Sequence, residues 1–335
     1  MDPHLVHGYM PNAGFESTRT AVAENLNKRF GSNFTFENII MTVGAGSSIN
    51  VIMKTIFDPG DKQVVFAPYF VEYANWASNY HAETVVVPPN EANGFEPDPE
   101  ALKKALDPKV KVVIINNPNN PTVAIYSRET LEKIAEVLKE AEKEYGHPIY
   151  IITDEPYREL VYVDKEIVFI PDLYDNTIIA YSWSKSLSIP GDRLGYLAVS
   201  PKSDNVEEFM AAATVANRIS GDTNAPSIIQ LAVERCLDAQ VDIPYYKKNA
   251  EDLYKIVTDA GFTAVVPQGA FYLWVKSPVA DEKELVAAAK EERILAVPGS
   301  AFACPGYIRL SFCISNETIQ RSAESFAKLG KKYFG

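Results

Sequence analysis

Short apolar runs alternate with amphipathic stretches over residues 15–200. The apolar runs predict seven β-strands, at 38–43, 63–66, 84–87, 110–115, 149–152, 177–181 and 194–199. Helical spacing between most of them predicts helices at 15–30, 49–57, 69–80, 98–106 and 127–145. This alternation predicts an α/β fold, with a seven-stranded, mostly parallel sheet covered by helices on both faces. The loop between the sixth and seventh strands is too short for a helical crossover, so one strand is predicted to run antiparallel.

The pattern changes near residue 240, after a helical stretch at 201–237 that a polar segment at 217–223 interrupts. A further helix is predicted at 242–260. Shorter apolar runs then predict strands at 263–266, 271–275, 295–297 and 307–311, which alternate with helices from Glu282 and from Asn316. The sequence therefore predicts a large domain over 15–240 and a smaller α+β domain over 241–335.

Composition argues against several kinds of partner and site. The chain has 335 residues and a formal net charge of −12, which disfavours nucleic acid and anionic membranes as partners. Three cysteines without CxxC spacing indicate reduced thiols, and four histidines leave little material for a metal centre, so no metal site is predicted. We expect a cytoplasmic protein, because no stretch resembles a membrane span or a signal peptide.

The chemistry in the sequence centres on the loop after the strand at 177–181. This loop carries Ser182, Ser184, Lys185 and, eight positions after the lysine, Arg193. Lysine amines form Schiff bases with carbonyl compounds, and serine hydroxyls with an arginine fork suit a phosphate monoester. A carbonyl and a phosphate on one small molecule indicate pyridoxal phosphate. The stretch alone is equally compatible with a surface loop that carries a lysine and an arginine.

Ligands of parallel sheets bind beyond the carboxyl ends of the strands, so the residues after the other strands are informative. Gly44, Ala45, Gly46 and Ser47 follow the first strand and lead into a helix, where exposed backbone N–H groups favour a phosphate. The alternative is a tight turn with a serine N-cap. The stretch matches neither the dinucleotide-binding GxGxxG motif nor the Walker phosphate loop.

Aromatic and polar residues follow three further strands. Tyr69, Phe70 and Tyr73 suit stacking on a flat ring and core packing equally well. The stretch 116–122 has two Asn-Pro pairs and forms a rigid loop that holds its amides for hydrogen bonding. Asp154 ends an apolar strand and needs a cationic or donor partner, which a pyridinium N–H would provide. The alternative is a metal-binding Asp-Glu pair of an NTPase, but the matching phosphate loop is missing.

These pieces, taken in order, resemble the fold-type I pyridoxal-phosphate-dependent aminotransferases of class I/II, the aspartate aminotransferase-like group. The resemblance spans nearly the whole chain: Tyr9, Gly44-Ala45-Gly46-Ser47, Pro68-Tyr69-Phe70, Pro118-Asn119-Asn120-Pro121-Thr122, Asp154-Glu155-Pro156-Tyr157, Ser182-Trp183-Ser184-Lys185 with Arg193-Leu194-Gly195-Tyr196, and Tyr307-Ile308-Arg309-Leu310-Ser311. No single motif decides it, but the ordered set is specific. It implies pyridoxal 5′-phosphate as cofactor, amino acids and 2-oxo acids as substrates, and a homodimer with shared active sites.

The resemblance implies a role for each matching residue. Lys185 forms the Schiff base with the cofactor, and its freed amine moves the proton between the substrate α-carbon and the cofactor carbon C4′. Asp154 pairs with the pyridine nitrogen, while Tyr157 and Asn120 hydrogen-bond the phenolic oxygen. Further implied cofactor contacts are ring stacking by Phe70 and phosphate binding by Ala45, Gly46, Ser47, Ser182, Ser184 and Arg193.

Two further residues are assigned by the same resemblance. Arg309 matches the arginine that clamps the substrate α-carboxylate as a bidentate fork, and Asn120 is also assigned to the substrate site. Tyr9 matches the tyrosine that reaches the cofactor phosphate of the neighbouring subunit.

The sequence departs from the family pattern in two places. Val123 stands where many relatives have glycine after Asn-Pro-Thr, and we expect it to crowd that loop without removing a ligand. The chain also begins almost at Tyr9, whereas the family normally has an N-terminal arm that closes over the substrate. Residues 1–14 are therefore interpreted as a remnant of that arm. Either the chain is shortened or numbered from its first ordered residue, or its activity is impaired.

The resemblance implies amino transfer from an L-amino acid to a 2-oxo acid. Two alternatives keep the cofactor: a carbon–sulfur β-lyase, and a 1-aminocyclopropane-1-carboxylate synthase-like enzyme, whose lysine loop is similar. An inactive cofactor-binding paralogue or regulator is the alternative of another class, and the intact Lys185 argues against it. The donor amino acid stays open, because Arg218 lies in a plausible loop for a second carboxylate but does not align clearly.

Overall fold

Seven β-strands form one sheet at the centre of the larger part of the molecule. In this computed structural model, which describes residues 7–335, they are β1 (Ile39–Thr42), β2 (Lys62–Phe66), β3 (Glu83–Val87), β4 (Val110–Asn116), β5 (Tyr150–Asp154), β6 (Thr177–Ser182) and β7 (Gly195–Val199). Their order is β1-β7-β6-β5-β4-β2-β3. Neighbouring strands from β6 to β3 are parallel, whereas β7 runs antiparallel to both β1 and β6. The predicted mostly parallel sheet with one reversed strand is confirmed.

Helices cover both faces of this sheet. The helices in this part of the chain are α1 (Glu16–Phe30), α2 (Ala45–Ile56), α3 (Glu72–Ser78), α4 (Pro99–Ala105), α5 (Arg128–Tyr145), α6 (Trp183–Ser186), α7 (Val206–Ile219) and α8 (Ser227–Val233). Successive residues of a strand point to opposite faces. Accordingly, Ile151 packs in a cluster with Leu131 of α5, while Ile152 packs in a different cluster with Ile49 of α2 and Ala213 of α7.

The start of α2 differs from the prediction. The sequence predicted a loop at 44–48 and a helix from 49, but α2 begins at Ala45, directly after its N-cap Gly44. Gly44 has φ 86°, a left-handed value that favours glycine. The chain therefore turns within one residue, and the first helical turn begins at the edge of the sheet.

The C-terminal part contains a second, smaller sheet. Its elements are α9 (Ile243–Asp259), β8 (Tyr272–Lys276), α10 (Glu282–Glu291), β9 (Val297–Pro298), β10 (Tyr307–Ser311) and α11 (Asn316–Phe334). The strands are antiparallel in the order β8-β10-β9. Among residues 7–335, no helix is long and apolar enough to cross a membrane.

The predicted strand at 263–266 is wrong. Ala264 forms only an isolated bridge with Val275, and Val266 is 57% exposed. Pro267 follows directly, and a proline has no N–H with which to continue a ladder. The segment therefore lies beside β8 without extending the sheet.

Candidate active site

One cavity collects most of the residues predicted for the site. Its volume is about 360 Å³, and it lies beyond the carboxyl ends of β4, β5 and β6. The predicted residues that line it are Ala45, Gly46, Phe70, Asn120, Asp154, Tyr157, Ser182, Ser184, Lys185, Arg193 and Arg309. The rest of the lining comprises Ile49, Trp76, Asn116, Pro156, Pro190 and Tyr272. Both sheets contribute, because Tyr272 and Arg309 lie on β8 and β10.

Two of the predicted site residues, Ser47 and Tyr9, lie outside this lining, and so does Arg218. Ser47 is half-buried in the first turn of α2, next to Gly46. Tyr9 is 91% exposed and lines a separate cavity of about 220 Å³ with residues 222–227. Arg218, near the end of α7, donates from Nη1 to Asn12 Oδ1 at 2.8 Å.

Asp154 is the buried acid of the cavity. Its Oδ2 accepts a hydrogen bond from the Tyr73 hydroxyl at 2.5 Å, while its Oδ1 is buried and has no partner among residues 7–335. Burial raises the pKa of Asp154 to about 7, although the Tyr73 hydrogen bond acts in the opposite direction. An orphaned carboxylate oxygen in a cavity is costly, so Oδ1 is suited to a cationic or N–H-bearing ligand.

Lys185 lies on α6, directly after β6. Ser182 caps this short helix by accepting a hydrogen bond from the Ser184 N–H at 3.1 Å. The Lys185 Nζ lies 5.0 Å from the centroid of the Phe271 ring. Burial lowers the pKa of Lys185, and the positive charges of Arg193 and Arg309 act in the same direction. A lowered pKa increases the fraction of neutral amine, which is the nucleophilic form.

Three features converge on one edge of the cavity as an anion-binding cradle. Ala45 and Gly46 begin α2, and the first backbone N–H groups of an α-helix have no partner within the helix. The Ser182 and Ser184 hydroxyls lie 2.5 Å apart. Arg193 is held there by hydrogen bonds from Nη1 to Pro190 O at 2.8 Å and from Nη2 to Val43 O at 3.1 Å. These donors and this charge suit a phosphate monoester.

Arg309 also lines the cavity and lies between two aromatic rings. Its guanidinium carbon is 4.2 Å from the Tyr272 ring centroid and 4.6 Å from that of Phe302. Its Nη1 donates to Asn120 Oδ1 at 2.7 Å. Stacking fixes the plane of the fork, which leaves further N–H groups for a carboxylate.

A family model for aminotransferase class I and II matches residues 2–326. The chain belongs to this family. Among curated proteins, the aspartate/prephenate aminotransferase of Thermus thermophilus is 33% identical over 329 residues, which cover 96% of this chain and 83% of the relative. The aromatic-amino-acid aminotransferase 2 of Thermococcus litoralis is 30% identical, over 99% of this chain and 86% of the relative.

Solved structures agree with the family. A crystal structure of an amino transferase from Eubacterium rectale has a TM-score of 0.96 and 40% identity, covering 100% of this chain and 84% of that one. The aspartate aminotransferase of Thermus thermophilus with maleate has a TM-score of 0.87 and 30% identity, covering 96% and 84%. The predicted fold and amino-group transfer are confirmed, and the lyase, synthase-like and inactive alternatives are not favoured. This aminotransferase therefore uses amino acid and 2-oxo acid substrates.

The sequence interpretation missed several residues that shape the site of this aminotransferase. Tyr73 was only one member of an aromatic run, yet its hydroxyl contacts Asp154. Tyr272 was only part of a strand, yet its hydroxyl lies 3.1 Å from that of Tyr157. Asn116 was predicted only as one of several amides in the stretch 116–122, without a partner; it donates to the main-chain oxygen of Asp154 at 2.9 Å and so joins the ends of β4 and β5. An available signal was position, because Asn116 ends its strand as Asp154 does.

Proposed function

We propose that this aminotransferase uses pyridoxal 5′-phosphate and that Lys185 supplies the catalytic amine. The observation that carries the proposal is the orphaned Oδ1 of Asp154 in a cavity that also holds Lys185 and an anion cradle. An acceptor, an amine and an anion-binding cradle in one cavity suit a ligand that carries a ring N–H, an aldehyde and a phosphate. The family's general dependence on this cofactor supports the same assignment.

The residues around the cavity fit the parts of the cofactor. Asp154 Oδ1 would accept from the pyridine N–H, and Phe70 would face the ring. Tyr157 and Asn120 would hydrogen-bond the phenolic oxygen. The phosphate would be held by Ala45, Gly46, Ser182, Ser184 and Arg193, with Ser47 on the same helical turn.

The reaction divides between cofactor and protein. When bound, pyridoxal phosphate supplies an aldehyde that takes up the amino group and a protonated ring that withdraws electrons from the substrate α-carbon. Lys185 Nζ, with its lowered pKa, accepts and returns the α-proton. Arg309 binds the α-carboxylate through its stacked guanidinium, with Asn120 beside it. Asp154, in its ionised form, would accept a hydrogen bond from the ring N–H.

We propose that the working form is a homodimer in which Tyr9 reaches the cofactor phosphate of the neighbouring subunit. Tyr9 is 91% exposed, so its ring is available to a second chain. Sedimentation of the wild type and of Tyr9→Phe tests the assembly. We expect both to be dimers, and we expect Tyr9→Phe to bind the cofactor about tenfold more weakly through one lost hydrogen bond to a charged group.

The predicted organisation of the chain is carried forward as part of the proposal. The large domain over 15–240 contains the seven-stranded sheet, and the small domain over 241–335 contains the three-stranded sheet. Residues 1–14 would be the arm segment, of which residues 1–6 lie outside the described residues. We place the protein in the cytoplasm, which the free thiols of Cys236, Cys304 and Cys313 support.

Borohydride reduction tests the central assignment. The protein loaded with pyridoxal phosphate is reduced and digested, and the labelled peptide is sequenced. We expect the label on Lys185 and its loss in Lys185→Ala, while a Lys202→Ala control keeps it. A label on another lysine would contradict the assignment.

A donor panel tests the reaction and its substrates. Amino acids are supplied with 2-oxoglutarate, and the new amino acid is quantified. We expect stoichiometric release of a 2-oxo acid from the donor even without an acceptor. Pyruvate formed catalytically from cystathionine in the absence of any 2-oxo acid would instead identify a β-lyase.

A further inference from the structure

We propose that Tyr73 is a positioning residue, which holds one carboxylate oxygen of Asp154 so that the other faces the cavity as the acceptor for a ring N–H. The inference rests on the proposed function, because that function gives Asp154 its ligand. It adds Tyr73 of α3, which is outside the cavity lining, to the residues that set the orientation of Asp154.

The contact between Tyr73 and Asp154 is buried and short. Tyr73 is 2% exposed and Asp154 is 7% exposed. The hydroxyl lies 2.5 Å from Oδ2, whereas Oδ1 has no partner among residues 7–335. The two oxygens of one carboxylate are therefore differentiated before any ligand enters.

The surroundings of Tyr73 hold its ring in place. Gln63 Nε2 donates to the main-chain oxygen of Tyr73 at 2.8 Å. The Phe70 ring meets it edge-on at 5.7 Å, and the Trp76 ring lies at 6.1 Å. A ring packed in this way directs its hydroxyl to one place, so the Asp154 carboxylate cannot rotate without losing a hydrogen bond.

The hydrogen bond also bears on the charge of Asp154. A buried carboxyl group tends to become neutral, and a neutral acid would present an O–H in place of an acceptor. The titratable groups that face it are Tyr73 on α3, and Glu155 and Tyr157 after β5. Glu155 disfavours the ionised form, whereas the Tyr73 donor favours it. The Tyr73 hydroxyl thus favours the ionised form of Asp154, in which Oδ1 can accept a hydrogen bond.

Tyr73→Phe tests this role because it keeps the ring and removes only the hydroxyl. The matched control is Tyr174→Phe, which removes another buried hydroxyl, bonded to Ile149 O at 2.7 Å. The Asp154 carboxyl is titrated by NMR in ligand-free protein labelled with ¹³C-aspartate, with its signal assigned through Asp154→Asn. The same proteins are then loaded with pyridoxal phosphate, and the pH dependence of the visible absorption band is measured.

In ligand-free Tyr73→Phe, we expect the pKa of Asp154 to rise by about one to two pH units, as for a lost hydrogen bond to a charged group. We expect the loaded variant to bind pyridoxal phosphate about tenfold more weakly, and its absorption band to titrate at a different pH. Tyr174→Phe should match the wild type in all three measurements.

Two results would overturn the inference. One is an unchanged Asp154 titration in ligand-free Tyr73→Phe. The other is a shifted titration with wild-type cofactor affinity and an unshifted absorption band. Failure of the proposed function is read separately, from wild-type protein that binds no pyridoxal phosphate.

Discussion

Arg309 and Asn120 are joined by a hydrogen bond of 2.7 Å although 189 positions separate them in the chain. The bond links β10 of the small sheet to the loop after β4 of the large sheet. Arg309, which we propose binds the substrate carboxylate, is therefore oriented by both parts of the molecule. Its loss should affect substrate binding more than cofactor binding.

Arg309→Ala should raise KM for the amino donor about 100-fold, because a charge pair with the α-carboxylate is lost. The affinity for pyridoxal phosphate should change little. Steady-state kinetics and a cofactor titration measure the two effects. Arg321→Ala, which removes an exposed arginine paired with Glu317, serves as control. Wild-type kinetics in Arg309→Ala would remove this residue from the site.

Asp154→Asn should stabilise the ligand-free protein at alkaline pH. The folded pKa of Asp154 is raised from its ordinary value of 3.8 to about 7, so the folded state binds this proton more tightly than the unfolded state. The wild type therefore loses stability as pH rises from about 4 to 7, by up to about 4 kcal/mol, and the variant lacks this loss. Urea denaturation at pH 4 and pH 8 measures the difference. Equal stability gaps at the two pH values would contradict the prediction.

Bound pyridoxal phosphate should make the wild type more stable than Asp154→Asn at alkaline pH. A cationic ring against Asp154 stabilises the ionised carboxylate, so the wild type should gain more thermal stability from the cofactor than Asp154→Asn does. The melting temperature with and without cofactor measures the gain. Equal gains would place the ring nitrogen elsewhere.

Gly44→Ala should weaken phosphate binding through Arg193. A Cβ at Gly44 would lie 2.6 Å from Arg193 Nη2, and the backbone has φ +86°. Gly60→Ala is a matched control, because Gly60 has φ +92° but nothing within 4 Å of its added Cβ. Both variants should lose about 1 kcal/mol of stability to backbone strain. Only Gly44→Ala should bind pyridoxal phosphate about tenfold more weakly, as measured by equilibrium titration.

Glu282→Gln should loosen the segment that carries Phe302. Glu282 accepts hydrogen bonds from the backbone N–H groups of Ser300 at 2.9 Å and Gly306 at 3.0 Å. Burial acts to raise its pKa, but these hydrogen bonds outweigh burial and lower the pKa to about 2. The folded pKa lies below the ordinary value of 4.5, so this stabilisation is present above about pH 4.5 and is lost as pH falls towards 2.

The variant should lose about 2 kcal/mol of stability at neutral pH, as for hydrogen bonds to a charged group. Between pH 4.5 and 2, its stability should fall less steeply than that of the wild type, because glutamine has no carboxylate to protonate. Because Phe302 stacks on Arg309, KM for the amino donor should rise severalfold. Urea denaturation and kinetics measure both. A loss of stability without any change in KM would separate Glu282 from the substrate site.

The sequence predicted those site residues that follow strands. Lys185, Asp154 and Asn120 come directly after apolar runs, and the carboxyl ends of parallel strands meet at one edge. Their convergence is therefore a consequence of strand order. Motif resemblance added Arg309, whose place in the cavity depends on how the small sheet meets the large one.

Side-chain pairings between elements could not be predicted in the same way. The Tyr73 hydroxyl reaches Asp154 only because α3 presents that face to the end of β5, and helical spacing alone does not fix the rotation of a short helix. Tyr272 meets Tyr157 because β8 pairs with β10 in one register. The strand predicted at 263–266 is an error of the opposite kind, in which a pairing was predicted that the structure lacks. The apolar residues before Pro267 form only an isolated bridge.

The antiparallel direction of β7 determines whether Arg193 can lie at the anion-binding cradle. The polar cavity residues Asn116, Asp154 and Ser182 each end a strand, whereas Arg193 lies just before the strand β7. Gly195 of β7 is in register with both Ser182 of β6 and Thr42 of β1, so the beginning of β7 lies where its neighbours end. If β7 ran parallel to them, Arg193 would stand about 16 Å away, at the far rim of the sheet. The antiparallel direction of β7 thus places a residue that precedes its strand, Arg193, beside residues that end their strands.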